Sequence, residues 1–303
     1  MVQQKEQQPK KKDEPKNLVG HFINIEAEKE FLKIYDKAME QWPNSRQEID
    51  IETAYGPTHV YHYGAKKEGN PILLLHGANG TSASWANFVV ELGKKHPVYA
   101  VDIIGDAGRS IQKKPIQSVE DYSAWLDQVL NTLELKRVHL VGASYGGWMA
   151  LNQAIHSSRT LQSITLIEPA RAFAGIRKIA WPFMLWASMI GPDFVRRSFI
   201  RWTSRGSSTN EKQLELVVSA MRDYKMLRIS PQYVSDEDLQ LVKVPVLLLL
   251  GEKSPLHNSQ SAANRAQKLL QDVEVEILPK AGHKLPADLV NDRILKFINL
   301  RAE

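Results

Sequence analysis

Val138-His139-Leu140-Val141-Gly142-Ala143-Ser144-Tyr145-Gly146-Gly147 is the stretch on which the reading of this chain turns. The apolar run Val138 to Ala143 predicts a buried strand and Tyr145 to His156 a helix, so Gly142-x-Ser144-x-Gly146 falls in the turn between them. A turn this tight forces Ser144 into a strained backbone conformation. It needs glycine on either side, because a side chain at 142 or 146 would collide with the neighbouring strand or helix. The Ser144 hydroxyl is thereby expected at the carboxyl edge of a sheet. A bare Gly-x-Ser-x-Gly also reads as a glycine-rich turn with a capping serine; the strand before and the helix after favour a nucleophile.

Working outward, short apolar runs alternate with longer amphipathic stretches. The runs Ile72 to His76, Val98 to Ile103, Ser163 to Glu168, Val244 to Gly251 and Val273 to Leu278 predict further buried parallel strands. Helices are expected at Ser84 to Lys95, Val119 to Leu133, Ser259 to Leu270 and Asp288 to Leu300, giving repeated βαβ units and a doubly wound α/β sheet. Upstream, Ala27 to Met39 has helical spacing, and Ile49 to Thr53 with His59 to Tyr63 reads as an antiparallel hairpin across Gly56-Pro57. One connection breaks the rhythm: about seventy residues separate Glu168 from Val244, too many for a structureless loop. Helical stretches at Ile176 to Ile190, Pro192 to Thr203 and Glu211 to Arg222 carry Trp181, Phe183, Met184, Trp186, Met189, Phe194, Trp202 and Met221. A helical cap is expected there, most of these side chains packing it onto the core and a minority lining a pocket.

A serine nucleophile needs donors for the developing oxyanion and a base. The Tyr145 amide, at the start of a helix where the dipole favours negative charge, supplies one donor. The loop His76-Gly77-Ala78-Asn79-Gly80 after a strand supplies the other, assigned to the Ala78 amide, with His76 shaping the loop. Of nine histidines, His257 and His283 follow late strands. His283, in Ala281-Gly282-His283 before the final helix, is preferred as the base because that loop can swing over the sheet edge.

With these parts in place the chain resembles the α/β-hydrolase fold superfamily, near its carboxylesterase and lipase-like branch, over about residues 45–303. The order of Ser144 before His283 matches, and Asp102-Ile103-Ile104-Gly105-Asp106-Ala107-Gly108-Arg109-Ser110 resembles a structural loop of that family, with Ala107 for the usual glycine. The resemblance implies a mostly parallel doubly wound sheet with a helical cap inserted after the sixth strand. Composition and connection length divide the chain into an arm (1–18), a core (19–169 and 239–303) and the cap (170–238). The departure is the acid: relatives place Asp or Glu where Ser254 stands here. Glu168, at the tip of the strand beside the nucleophile strand, is taken as the replacement acid. Glu252 and a triad lacking a carboxylate are the alternatives, the last slower by about ten-thousand-fold.

The implied activity is hydrolysis of small to medium carboxylic esters with an apolar portion through an acyl-enzyme. Thioester, amide or carbon–carbon bond hydrolysis, or a ligand-binding or signalling protein with weak turnover, are the alternatives. No metal or organic cofactor is implied. The 303 residues contain no cysteine, which removes thiol nucleophiles and disulfides. Thirty-nine basic against 34 acidic residues give a net charge of +5, with no basic stripe to track phosphates, so nucleic acid is not expected as a partner. Lys5, Lys10, Lys11, Lys12 and Lys16 mark a solvated polar arm at the amino end. No apolar run approaches the roughly 20 residues of a membrane span, and compartment and oligomeric state are left open.

Overall fold

The computed structural model describes residues 18–64, 69–207 and 210–301, so the arm expected over 1–18 lies outside the described residues except for Leu18. In chain order come β1 (His21–Phe22), α1 (Ile25–Met39), β2 (Gln47–Ile51), β3 (Thr58–Tyr63), β4 (Ile72–Leu75), a 3-10 turn (Ser82–Trp85) leading into α2 (Ala86–Leu92), and β5 (Val98–Val101). Then follow α3 (Val119–Thr132), β6 (Val138–Ala143), α4 (Tyr145–His156) and β7 (Leu161–Ile167). The elements read from periodicity are all present, their ends moved by a few residues.

Strand order in the main sheet is β10-β9-β7-β6-β4-β5-β3-β2, where β9 is Val246–Gly251 and β10 Val273–Leu278. The strands from β10 to β5 run parallel, and β3 lies antiparallel between β5 and β2. Every residue of β4 and β9 is buried because helices cover both faces. Alternation along the strands divides the core in two. Leu73, Leu75, Leu140, Leu166, Leu248 and Leu250 pack with Trp125, Trp148 and Met149 on one face; Ile72, Leu74, Val141, Leu247 and Leu249 pack with Phe31, Tyr35 and Phe297 on the other.

The flanking helices are set by local signals. The Asn24 side chain accepts from the Ala27 N–H to start α1, which buries Phe31, Tyr35, Ala38 and Met39. Ser118 and Asp121 form a reciprocal capping box at α3, where removing the cap costs about 1 kcal/mol. α9 (Ser259–Leu269) and α10 (Ala287–Asn299) complete the two helical layers.

Between β7 and β9 the chain forms α5 (Ala180–Met189), α6 (Asp193–Thr203), α7 (Glu211–Asp223), β8 (Tyr224–Lys225) and α8 (Asp236–Gln240). β8 pairs antiparallel with β1, and the Phe22 and Tyr224 rings meet edge-on at 4.9 Å. Two-residue strands carry no periodicity, and this ribbon left no trace in the sequence. Among the described residues no helix is long and apolar enough to cross a membrane.

Candidate active site

Ser144 sits between β6 and α4 at φ 51°, ψ −110°, a left-handed conformation that L-residues rarely adopt. The glycines flanking it have no room for a side chain. A Cβ on Gly142 would lie 2.2 Å from the Gly146 carbonyl oxygen, and one on Gly146 2.2 Å from that of Leu75. The Ser144 N–H is tied to Ile167 O at 2.8 Å, so the turn is clamped against β7.

His283 and Glu168 converge on this serine. His283 Nε2 lies 3.0 Å from Ser144 Oγ, and His283 Nδ1 lies 2.8 Å from Glu168 Oε2. Glu168 follows β7, itself at φ 48°, with its carboxylate enclosed. Ser254 Oγ donates to Oε2 at 2.6 Å, the Gly251 N–H donates to Oε1 at 2.7 Å, and His257 Nε2 approaches Oε1 to 3.3 Å. Burial by itself would raise this carboxyl's pKa. The hydrogen bonding and proximity of His257 and His283 outweigh it and hold the group well below the usual carboxylate range. Glu252 is engaged elsewhere, accepting from the Lys280 N–H at 2.7 Å. His257 touches Glu168 and not Ser144.

The His283 loop is fastened to the inserted segment by backbone bonds. His283 N–H donates to Thr203 O at 2.9 Å and Gly282 N–H to Arg205 O at 2.7 Å. Gly206, at φ +85°, lets the chain pass so closely that a Cβ there would stand 2.1 Å from Lys280 O.

On the other side of the serine, His76 organises the loop after β4: Nε2 accepts from the Ile103 N–H at 3.0 Å, leaving Nδ1 to donate to Gly77 O at 2.8 Å. Gly77 lies directly against Ser144, while Ala78 is exposed one residue further on. Asp102 is structural, accepting from Tyr35, Ser82 and Arg109. Behind this loop sequence reasoning missed a buried ion pair. Arg228 Nη1 lies 2.8 Å from the Asp106 carboxylate, and its guanidinium stacks 3.7 Å from the centre of the Tyr145 ring. Burial raises the Asp106 pKa, with Arg228 acting against it. The sole sequence signal was Asp106 in the loop after β5; nothing near Arg228 marks it.

A cavity of about 510 Å³ opens over Ser144 and His283. Trp85, Phe88, Ile200, Leu214, Val217 and Leu285 give it apolar walls, and Ser84, Asn87, Ser207, Asn210 and Gln213 a polar share. The expectation that some of the large side chains named from 181 to 221 line the pocket fails. None does, because Phe183, Phe199 and Trp202 pack on one another between α5 and α6 and the others point elsewhere; the wall aromatics come instead from Trp85 and Phe88. Among the described residues no group of three or more His, Asp or Glu is placed to hold a metal ion.

A family profile described as the alpha/beta hydrolase family matches residues 72–293, and the chain belongs to that family. It is 29% identical over 289 residues to a protein named carboxylesterase YbfK from Bacillus subtilis (strain 168), covering 91% of this chain and 96% of that one. The crystal structure of carboxylesterase CesB (YbfK) from Bacillus subtilis superposes with a TM-score of 0.84 at 27% identity, over 90% of this chain and 99% of that one. The naproxen esterase (carboxylesterase NP) structure from Bacillus subtilis gives 0.80 at 28% identity, over 88% and 96%.

Proposed function

We propose that this chain is a serine carboxylesterase that cleaves small to medium carboxylic esters with an apolar portion through an acyl-enzyme on Ser144. The observation that carries this reading is the continuous hydrogen-bonded path from Ser144 Oγ through His283 to Glu168. The carboxylesterase names of the relatives similar over most of the chain support it.

In this reading His283 holds its proton on Nδ1, donated to Glu168, and presents Nε2 as base to the Ser144 hydroxyl. Attack on the ester carbonyl moves the serine proton to Nε2, and the imidazolium is stabilised by the Glu168 carboxylate. Its low pKa keeps that carboxylate ionised. The oxyanion is received by the Tyr145 amide, first N–H of α4 and so without an acceptor inside the helix, and by the Ala78 amide. Each such donor is worth about 10²–10³ in kcat. His283 then gives its proton to the leaving alcohol; water, activated by the same nitrogen, releases the acid. The segment 170–238 acts as a cap over a core made of 19–169 and 239–303, its Ile200, Leu214 and Val217 shaping the acyl site.

A fluorophosphonate should label Ser144 stoichiometrically, and p-nitrophenyl acyl esters of rising chain length should turn over with an optimum set by the cavity. Failure of both would overturn the proposal. Labelling without turnover would favour a ligand-binding role.

A further inference from the structure

The helix α5 is built inside out. Only Ala180 and Ala187 are buried along it, while Trp181, Leu185, Trp186 and Met189 are exposed. A water-facing helix normally reverses this, with small or polar residues outside. The apolar surface continues past the helix: Trp186 is 50% exposed, Phe194 67%, Met189 72% and Ile190 81%. α5 carries no charged residue. Isolated exposed apolar side chains need no explanation, but a contiguous group of this size marks a surface that meets something.

The charges around it specify what. Between Pro169 and Asn210 there are seven basic residues, Arg171, Arg177, Lys178, Arg196, Arg197, Arg201 and Arg205, against Asp193 alone. Asp193 is neutralised by Arg196 and Arg222, and Arg197 and Arg201 share Glu211. Arg177, Lys178 and Arg205 are exposed and form no salt bridge among the described residues. An uncharged apolar face with half-exposed tryptophans, on a helix pair that unpaired cations precede and follow, is the chemistry of adsorption to an anionic lipid surface, with rings at headgroup depth and cations on phosphates. A second copy of the chain fits less well, since it would bring two cationic segments together.

We propose that α5 and the start of α6 form a docking face for anionic phospholipid surfaces, by which the protein adsorbs without crossing the bilayer. The face lies on the outside of the wall whose inner side is the pocket, because α6 also turns Ile200 towards the cavity. Binding to vesicles requires no hydrolysis, so it stands or falls separately from the esterase reading.

The test is co-sedimentation of the full chain with vesicles of phosphatidylcholine alone or mixed with phosphatidylglycerol, at low and high salt. Partitioning should be at least about tenfold stronger on the anionic vesicles and weaken with salt. The triple variant Trp186→Ser/Met189→Ser/Ile190→Ser should lose at least about tenfold of it while hydrolysing soluble p-nitrophenyl acetate normally. In the unaltered chain, tryptophan fluorescence should shift to the blue on anionic vesicles and be quenched by brominated lipid. No binding to anionic vesicles, or no tryptophan change on binding, would overturn the proposal. So would binding undiminished in the triple variant, which would place it on another surface such as the lysine-rich amino-terminal segment. A concentration-dependent dimer abolished by the triple variant would overturn it in favour of self-association.

Discussion

The elbow at β6 and the helix α5 pack by opposite rules. At the elbow backbone meets backbone so closely that a single added methyl at Gly142 or Gly146 would stand 2.2 Å from a carbonyl oxygen. On α5 two alanines are buried and Phe183 packs against α6, while Trp181, Leu185, Trp186 and Met189 face out. Where neighbours close every direction, residue type is dictated and the sequence states the structure. Where one side is open, composition reports what lies outside the chain, and periodicity alone misleads.

That contrast breaks most visibly at the closed end. Ser144→Ala and His283→Ala should each lower kcat by roughly 10⁴–10⁶-fold, with the Ser144 variant melting no lower than the natural chain because the strained turn loses nothing it depends on. Residual activity within about tenfold of wild type in either would remove the serine mechanism. His257→Ala should be far milder, since its ring meets Glu168 and not the serine; a loss equal to that of His283→Ala would mean the two histidines had been assigned the wrong way round.

Next comes the joint between the two regions. Gly206→Ala combines a positive φ with a clash on Lys280 O, on the loop that ends in His283. It should cost at least about 1–3 kcal/mol, measured by denaturant unfolding, and lower kcat more than it raises KM. If kcat holds, the inserted segment does not hold the base in place.

Smaller effects are expected on selectivity. Ile200→Ala and Leu214→Ala enlarge the pocket and should raise kcat/KM for longer acyl chains relative to short ones by about 10-fold, the scale of one or two methylenes in an apolar pocket. Trp181→Ala, outside the pocket, should leave that ratio unchanged. A ratio moved by Trp181 and untouched by Ile200 would invert the description of the wall.

The smallest is a pH effect on stability. Glu168 is held below its unfolded range, so its ionised form adds stability that is present above about pH 4.3 and is lost as pH falls through the lowered folded value. The advantage of the natural chain over Glu168→Gln in denaturant melts should therefore shrink on acidification. A constant gap would mean that the carboxylate is not selectively stabilised.

The parallel strands, their flanking helices, the elbow and the Gly282-His283 loop were legible because each is a local pattern with a strong steric or burial cause. Glu168 was legible only through topology: it required β7 to lie beside β6, which the pairing of Ala143 with Ile167 bears out. Ser254 drew notice as a missing acid, and only the fold brings its hydroxyl onto Glu168. The Arg228–Asp106 ion pair and the β1–β8 ribbon arise from partners more than a hundred residues apart, with no local signature. Large apolar residues in the inserted helices point to a pocket lining only where they face inward, and Trp181, Leu185, Trp186 and Met189 of α5 face outward.

The most direct test of the site is kcat on a p-nitrophenyl ester for Glu168→Gln beside Glu252→Gln. Glu168→Gln should fall by about 10⁴-fold, as when a triad acid becomes an amide, and Glu252→Gln should stay near wild type. Adding Ser254→Asp to Glu168→Gln should recover part of the loss, because the Ser254 side chain reaches the oxygen that His283 binds, whereas Ser254→Asp alone should bring no gain. A Glu168→Gln enzyme as fast as the natural chain, or a collapse on Glu252→Gln instead, would contradict the assignment of Glu168 as the acid.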